Sequence, residues 1–167
     1  MAFSFIYPDK ELDVQIIRLL IILKHNSVNR ANNPILSLEK ISAFGFLLEH
    51  PYIFFRILID TGKRAAFVAD EIERNSISKE FPNTTSLYSF SENKEILKIM
   101  IVRKFVRVSL VSNIPYYIIA DEGLEYLTNI VTSYTDRLEN ISASLSSFSS
   151  ESYKDLLTLV KPYTHGK

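Results

Sequence analysis

FVRVSLVSNIPYYIIADEGLEYL, residues Phe105 to Leu127, holds the pattern that decides how this chain folds. In VRVSLV the apolar residues alternate with Arg107 and Ser109, the period of a half-buried strand. SNIP supplies a turn, and YYIIA returns as a second aromatic and β-branched run. Asp121 and Gly123 then lead into EYLTNIVTSYTDRLENI. There Leu127, Ile130, Val131, Tyr134, Leu138 and Ile141 make one long apolar stripe at helical spacing. Upstream, Ser91 is a good N-cap for NKEILKIMIVRK, with Glu92 and Glu95 near the positive helix end.

Helix, two-stranded hairpin, helix is the order of a winged helix-turn-helix domain, with the hairpin as the wing. Outward from it, residues 1–8 read as an arm ending at Pro8. Asp9 or Asp13 caps a helix that carries Leu12, Ile16, Leu19, Leu20 and Leu23 and ends near His25. SVNRANNP is a loop. Ser37 opens a second helix through Leu38, Ile41, Phe44, Leu47 and Leu48. Pro51 marks a junction before a further helical stretch that breaks at Asp60 to Gly62. KRAAFVADEIERNSIS reads as helical through Arg74, and Pro82 to Tyr88 as a polar linker. The serine-rich SASLSSFSSES reads as a frayed helix end or hinge, and YKDLLTLV as a last short helix ending before Pro162. The expected fold is mainly α with a small β-hairpin. It forms one winged helix-turn-helix-like domain over residues 1–167, with a core at about 9–141, helical extensions and a C-terminal helical tail at 142–167.

The 167 residues include 19 Lys plus Arg and 19 Asp plus Glu, so the formal net charge is zero. A dedicated nucleic-acid binder carries a basic excess, because phosphate neutralisation supplies most of its affinity. Any such binding here has to come from a local patch or from partners. There is no cysteine, which excludes disulfides and thiolate metal ligands. MAFSFIYPDKELD lacks the basic and long apolar regions of a secretory signal. VQIIRLLIIL and PYIFFRILI are too short to cross a bilayer, and Arg18 and Arg56 interrupt them. These readings place the chain in the cytoplasm with no membrane partner, and make the sequons at Asn83 and Asn140 chance matches.

His25, His50 and His165 stand far apart, with no carboxylate at ligand spacing, so no metal site is expected. Asp70, Glu71 and Glu73 read as a solvated helix face. Four scattered glycines form no phosphate loop, and no nucleophile stands beside a base. The chain is therefore read as non-enzymatic, with no catalytic, cofactor-binding or metal-binding residue.

Lys94, Lys98, Arg103, Lys104 and Arg107 cluster on the helix before the hairpin and on its first strand. In a winged domain that position enters the major groove, which makes these five the candidate nucleic-acid contacts. Against this, Ile96, Leu97, Ile99, Met100, Ile101 and Val102 make the same helix apolar on nearly every face. A groove-reading helix needs a polar outer face, and a helix apolar all round is normally covered by its own core or by a partner. Tyr116 and Tyr117 on the returning strand, with Leu138 and Ile141 on the long helix, are the candidate partner contacts. The balance favours protein contact, and a chain with this surplus of apolar faces is expected to self-associate when expressed alone.

Three stretches carry a resemblance: LDVQIIRLLIILKHNSV, LSLEKISAFGFLLEHP and the hairpin ending in ADEGLEYL. In the second, Leu36, Leu38, Glu39, Lys40, Ile41, Phe44, Phe46, Leu47, Leu48, His50 and Pro51 fit a leucine- and phenylalanine-rich segment closing on proline. Over roughly residues 12–130 the chain resembles the middle component of three-component ABC systems, among them the Lamassu-type anti-phage systems. The resemblance implies a small winged-helix accessory subunit without catalytic residues or cofactor. Its implied partners are an SMC-like ABC ATPase and an effector subunit, commonly a nuclease, with DNA met through the complex. Two alternatives stand beside it, a winged-helix DNA-binding regulator and an antitoxin-like inhibitor of a nuclease.

Overall fold

The computed structural model describes residues 11–164. The expected N-terminal arm, Asp9 and His165 lie outside them. The chain is mainly α with one antiparallel hairpin, as its periodicities require. Helix α1, Leu12–Asn26, is the central element. Ile16, Leu20, Ile21, Ile22 and Leu23 are all fully buried, so over Leu19–Leu23 the helix is packed on nearly every face, while Leu12, Asp13 and Lys24 are exposed. Glu11 stands at its N-cap, with Asp13 in the first turn.

Helix α2, Leu38–Glu49, starts where Ser37 accepts the N–H of Lys40 at 3.4 Å. Helix α3, Pro51–Asp60, begins with the proline, whose missing N–H would have had no helical partner in the first turn. The two helices bend by 103° at their junction, where the His50 ring stacks on Phe46. α3 stops at Gly62, which takes φ +67° while Lys63 N–H returns to the Leu58 carbonyl at 2.8 Å. Among the described residues no single helix is long and apolar enough to cross a membrane.

The next segment departs from expectation. Residues 63–70 are not helical, and only Glu71–Asn75 (α4) and Ile77–Glu80 (α5) are. Phe67 and Ala69 are buried, so this stretch runs across the core. Side chains satisfy its backbone instead of a helical ladder: Ala66 N–H donates to Ser144 Oγ, and Arg137 donates to the Val68 carbonyl, each at 2.8 Å. Asp70 and Glu73 form a capping box that starts α4 only at residue 71. The expected polar linker is a 3₁₀ turn, Thr84–Tyr88, with Leu87 buried. Helix α6, Phe90–Val102, is preceded by Ser89, so Ser91 falls inside it and is not the cap.

Strands β1, Val106–Val111, and β2, Ile114–Ile119, pair from Val106↔Ile119 to Val111↔Ile114. The loop is shorter than the expected four residues. Ser112 and Asn113 take φ +50° and +64°, the primed geometry whose twist suits a two-residue hairpin. Ile114 and Pro115 already belong to the strand.

The long helix expected after the hairpin is two helices, α7 Asp121–Thr128 and α8 Ser133–Leu145. Thr128 Oγ1 and Asn129 Nδ2 both donate to the Glu125 carbonyl, at 2.7 and 3.1 Å, which closes α7. Thr132 then caps α8 through a reciprocal pair with Thr135. The break divides the apolar stripe: Leu127, Leu138 and Ile141 are buried, whereas Val131 and Tyr134 are exposed.

The serine run is neither frayed nor a hinge. Ser142 Oγ donates to the Ile21 carbonyl at 3.2 Å and meets the amide of buried Asn26, which fastens α8 to α1. Lys40 Nζ and Lys63 Nζ donate to the carbonyls of Ser149 and Ser147 at 2.6 and 2.5 Å, and Phe148 between them is fully buried. Helix α9, Tyr153–Thr164, does not end before Pro162 but runs through it, without the N–H that would have bonded to the Thr158 carbonyl. Leu145, Phe148, Leu156 and Val160 join the same core as α1 and α2.

Candidate interaction surface

The hairpin and its two flanking helices carry the candidate residues. α6 ends in a Schellman turn: Phe105 N–H bonds to the Met100 carbonyl and Lys104 N–H to the Ile101 carbonyl, each at 2.9 Å. Lys104 occupies the left-handed position there, with φ +61°. That reversal throws Phe105 onto Tyr126 of α7, ring centroids 4.7 Å apart, and aims β1 away from the helix. On the other edge of the hairpin, Tyr117 N–H donates to the Leu36 carbonyl at 3.0 Å. The hairpin base is thus held from both sides, with Val106 and Tyr117 buried against the core.

Its far end is not. Leu110 is 71 % exposed, and Val111, Ile114 and Pro115 around the loop are exposed with it. β1 has a strand neighbour on one side only. An apolar, half-unpaired strand tip is the kind of surface that soluble chains usually blunt with charge, or else use for pairing.

Lys94, Lys98, Arg103, Lys104 and Arg107 are all exposed, spread along α6, its C-terminal turn and the start of β1. Two already have acidic partners. Lys98 pairs with Glu95 at 2.7 Å, and Arg103 lies 3.9 Å from Asp13. α6 is less apolar outside than its composition implies. Ile96, Leu97 and Met100 face the core, whereas Ile101 and Val102 are exposed in its last turn.

The candidate partner contacts divide. Tyr116 is half-buried on the hairpin. Tyr117 is buried, and burial pushes its phenol up from the ordinary value, with the Glu39 charge adding to this. Leu138 and Ile141, at 5 % and 1 % exposure, are core residues with no side-chain surface left for a partner, because α8 turns them onto α1. Sequence reasoning missed the exposed side chains of Leu110, Val111 and Ile114. Alternation marks which residues share a face but not where along a strand the supporting core ends. It also missed Ile72, Ile77 and Phe81, which stand exposed on and beside α4 and α5.

Among the described residues, no three His, Asp or Glu side chains gather where a metal could be held. His25 and Lys24 instead converge on Glu139. Burial pushes that carboxyl up, but the hydrogen bonds from Lys24, at 2.9 Å, and from His25 outweigh it and hold Glu139 below the usual range.

A family model described as ABC-three component (ABC-3C) system Middle Component 4 matches residues 26–158. The chain belongs to this family. It is thus a middle component, an accessory chain of a multi-component ABC system, and partner subunits are implied. The match takes in α2 to α8, the hairpin and the first half of α9. It begins at the end of α1, so the apolar first helix that contributed to the resemblance lies almost wholly outside it. No curated protein and no solved structure gives a significant match to this middle component.

Proposed function

We propose that this middle component is a non-catalytic subunit that bridges an SMC-like ABC ATPase and an effector, commonly a nuclease, in a Lamassu-type anti-phage complex in the cytoplasm. The observation that carries the reading is the apolar hairpin tip on a firmly held base, in a chain whose family is defined by its place in an assembly. A stable interface needs about 800 Å² from each partner. The exposed apolar side chains of the tip, and of the last turn of α6 at the hairpin's base, are where such an area would begin. The α6–hairpin order, with Leu36 bonded beside β2, supports the winged-helix description.

The test is to co-express the chain with the products of the genes flanking its own. The reading expects an ATPase and an effector to co-purify in one complex, and to separate from one another when the middle component is omitted. Copies that purify free of both products would overturn it.

One observation favours a second reading, direct DNA contact: all five basic side chains along α6 and the start of β1 are exposed. The isolated chain would then shift duplex DNA with an affinity falling steeply with salt, and Lys98→Glu or Arg103→Glu would abolish the shift. Binding indifferent to those two charges removes this reading.

A further inference from the structure

The break between α7 and α8 opens a groove of about 280 Å³ between those helices and α1. Its apolar lining includes Ile21, Leu127 and Ile130, and at its rim Leu124 and Val131 are exposed, Val131 by 76 %. Thr128 and Asn129, which close α7, and Thr132, which caps α8, make the break beside which the groove lies.

Acidic side chains outnumber basic ones around it: Asp136 and Glu139 line the groove with Lys24, and further carboxylates stand on α7. From Val108 to Asp136 the sequence holds Asp121, Glu122, Glu125 and Asp136 and no Lys, Arg or His. All four carboxylates are exposed, and none joins an ion pair in the described structure. Asp121 stands three residues before Leu124, on the same stripe of α7, and Asp136 lines the groove directly. Placement in a first helical turn accounts for the presence of Asp121, Glu122 and Asp136. Their field nevertheless falls on an apolar opening. The one cation in the lining, Lys24, is already engaged by Glu139.

From this pairing of an apolar floor with an uncompensated acidic rim, we infer that the α1–α7–α8 groove receives a basic amphipathic helix of a partner subunit. An apolar side chain of that helix enters beside Val131, and its lysines or arginines face Asp136 and the α7 carboxylates. This is helix-in-groove recognition, with charge setting orientation and association rate. The inference depends on the accessory-subunit reading only for the owner of the helix.

A labelled synthetic peptide of leucine and lysine, patterned as an amphipathic helix, is the probe, with its leucine–glutamate counterpart as control. Fluorescence anisotropy with the full chain should show saturable binding of the basic peptide alone. Val131→Asp and Asp136→Lys should each weaken it at least tenfold. Phe81→Asp, on a separate exposed apolar site, should leave it unchanged, and circular dichroism should show all variants folded. Absence of saturable binding overturns the inference, as does equal affinity in Val131→Asp or equal loss in Phe81→Asp. So does a dimerisation of the chain that Val131→Asp abolishes, since the groove then belongs to a second copy. Co-purification with the flanking gene products that persists in Val131→Asp would also remove the groove as a docking site while leaving the accessory role intact. Peptide binding without any such co-purification would do the opposite.

Discussion

A methyl group built on Gly123 would lie 2.5 Å from the carbonyl oxygen of Phe105, and 3.1 Å from side-chain carbons of Ile119 and Leu20. The first turn of α7 is thus pressed against the backbone at the root of the hairpin. Ala120 N–H donates to that same Phe105 carbonyl at 2.8 Å, which keeps the oxygen from moving aside. Gly123→Ala should gain about 1 kcal/mol of helix propensity. The cost of overpacking, about 1–3 kcal/mol, should exceed it because backbone atoms are involved. Urea unfolding should show a net loss of stability, and a variant as stable as the parent would mean that the contact relaxes freely.

Lys104 sits on the opposite side of the same root and carries the reverse liability. Its left-handed backbone costs a residue with a Cβ about 1 kcal/mol or more that glycine does not pay. Lys104→Gly should therefore raise stability by up to about 1 kcal/mol, read as a higher urea midpoint at unchanged slope. The same variant removes one of the five exposed charges. A gel shift that weakens while stability rises would assign Lys104 to DNA contact, separating charge from fold.

The parts of this fold that the sequence makes legible are those where local chemistry and tertiary packing agree. Ser37, Pro51 and Gly62 mark the ends of α2 and α3 because a cap, a first-turn proline and a left-handed glycine act within a few residues. VRVSLV and YYIIA declare a hairpin for the same reason. Where distant side chains take over the backbone, the local pattern misleads. Arg137 and Ser144 hold residues 63–70 extended, although Lys63 to Arg74 has helical composition. Lys40 and Lys63 hold down the serine run, which in isolation looks like a hinge. The candidate surface was half legible. The basic cluster follows from position on α6 and β1. The burial of Leu138 and Ile141 depends on α8 docking onto α1, and the groove depends on a break that the apolar periodicity conceals.

Lys40 gives the fold a distinctive alkaline response. Burial lowers its ammonium from the ordinary 10.5 to about 8, although the Glu151 charge pulls the other way. Between pH 8 and 10.5 the unfolded chain then binds more protons at this site than the folded one, so stability rises with pH. Tyr117, Tyr153 and Tyr163 act in the opposite sense above pH 10. Their phenols are raised chiefly by burial, Tyr163 to about 12, and the unfolded chain ionises first. The Lys40 contribution is therefore cleanest between pH 8 and 10. Lys40→Met should flatten the rise in that window, measured by urea unfolding at half-unit pH steps. A wild-type curve that is flat or falling from pH 8 to 10, with the same shape in Lys40→Met, would contradict the assignment.

The hairpin tip gives the prediction closest to function. Leu110 and Ile114 lie on opposite strands next to the loop, where nothing in the described chain covers them, so exchanging them for another β-former should leave the folded state nearly unchanged. Leu110→Thr with Ile114→Thr should shift the urea midpoint by no more than about 0.5 kcal/mol, the usual range for surface changes. It should also lower the fluorescence of a hydrophobic dye and reduce the self-association of the isolated chain, followed by light scattering against concentration. In the co-expressed complex the same pair should loosen whichever subunit sits on the tip. Unchanged dye binding and unchanged assembly in this double variant would move the search for the interface to Ile72, Ile77 and Phe81, which are also uncovered, and would leave the hairpin a structural brace for α7.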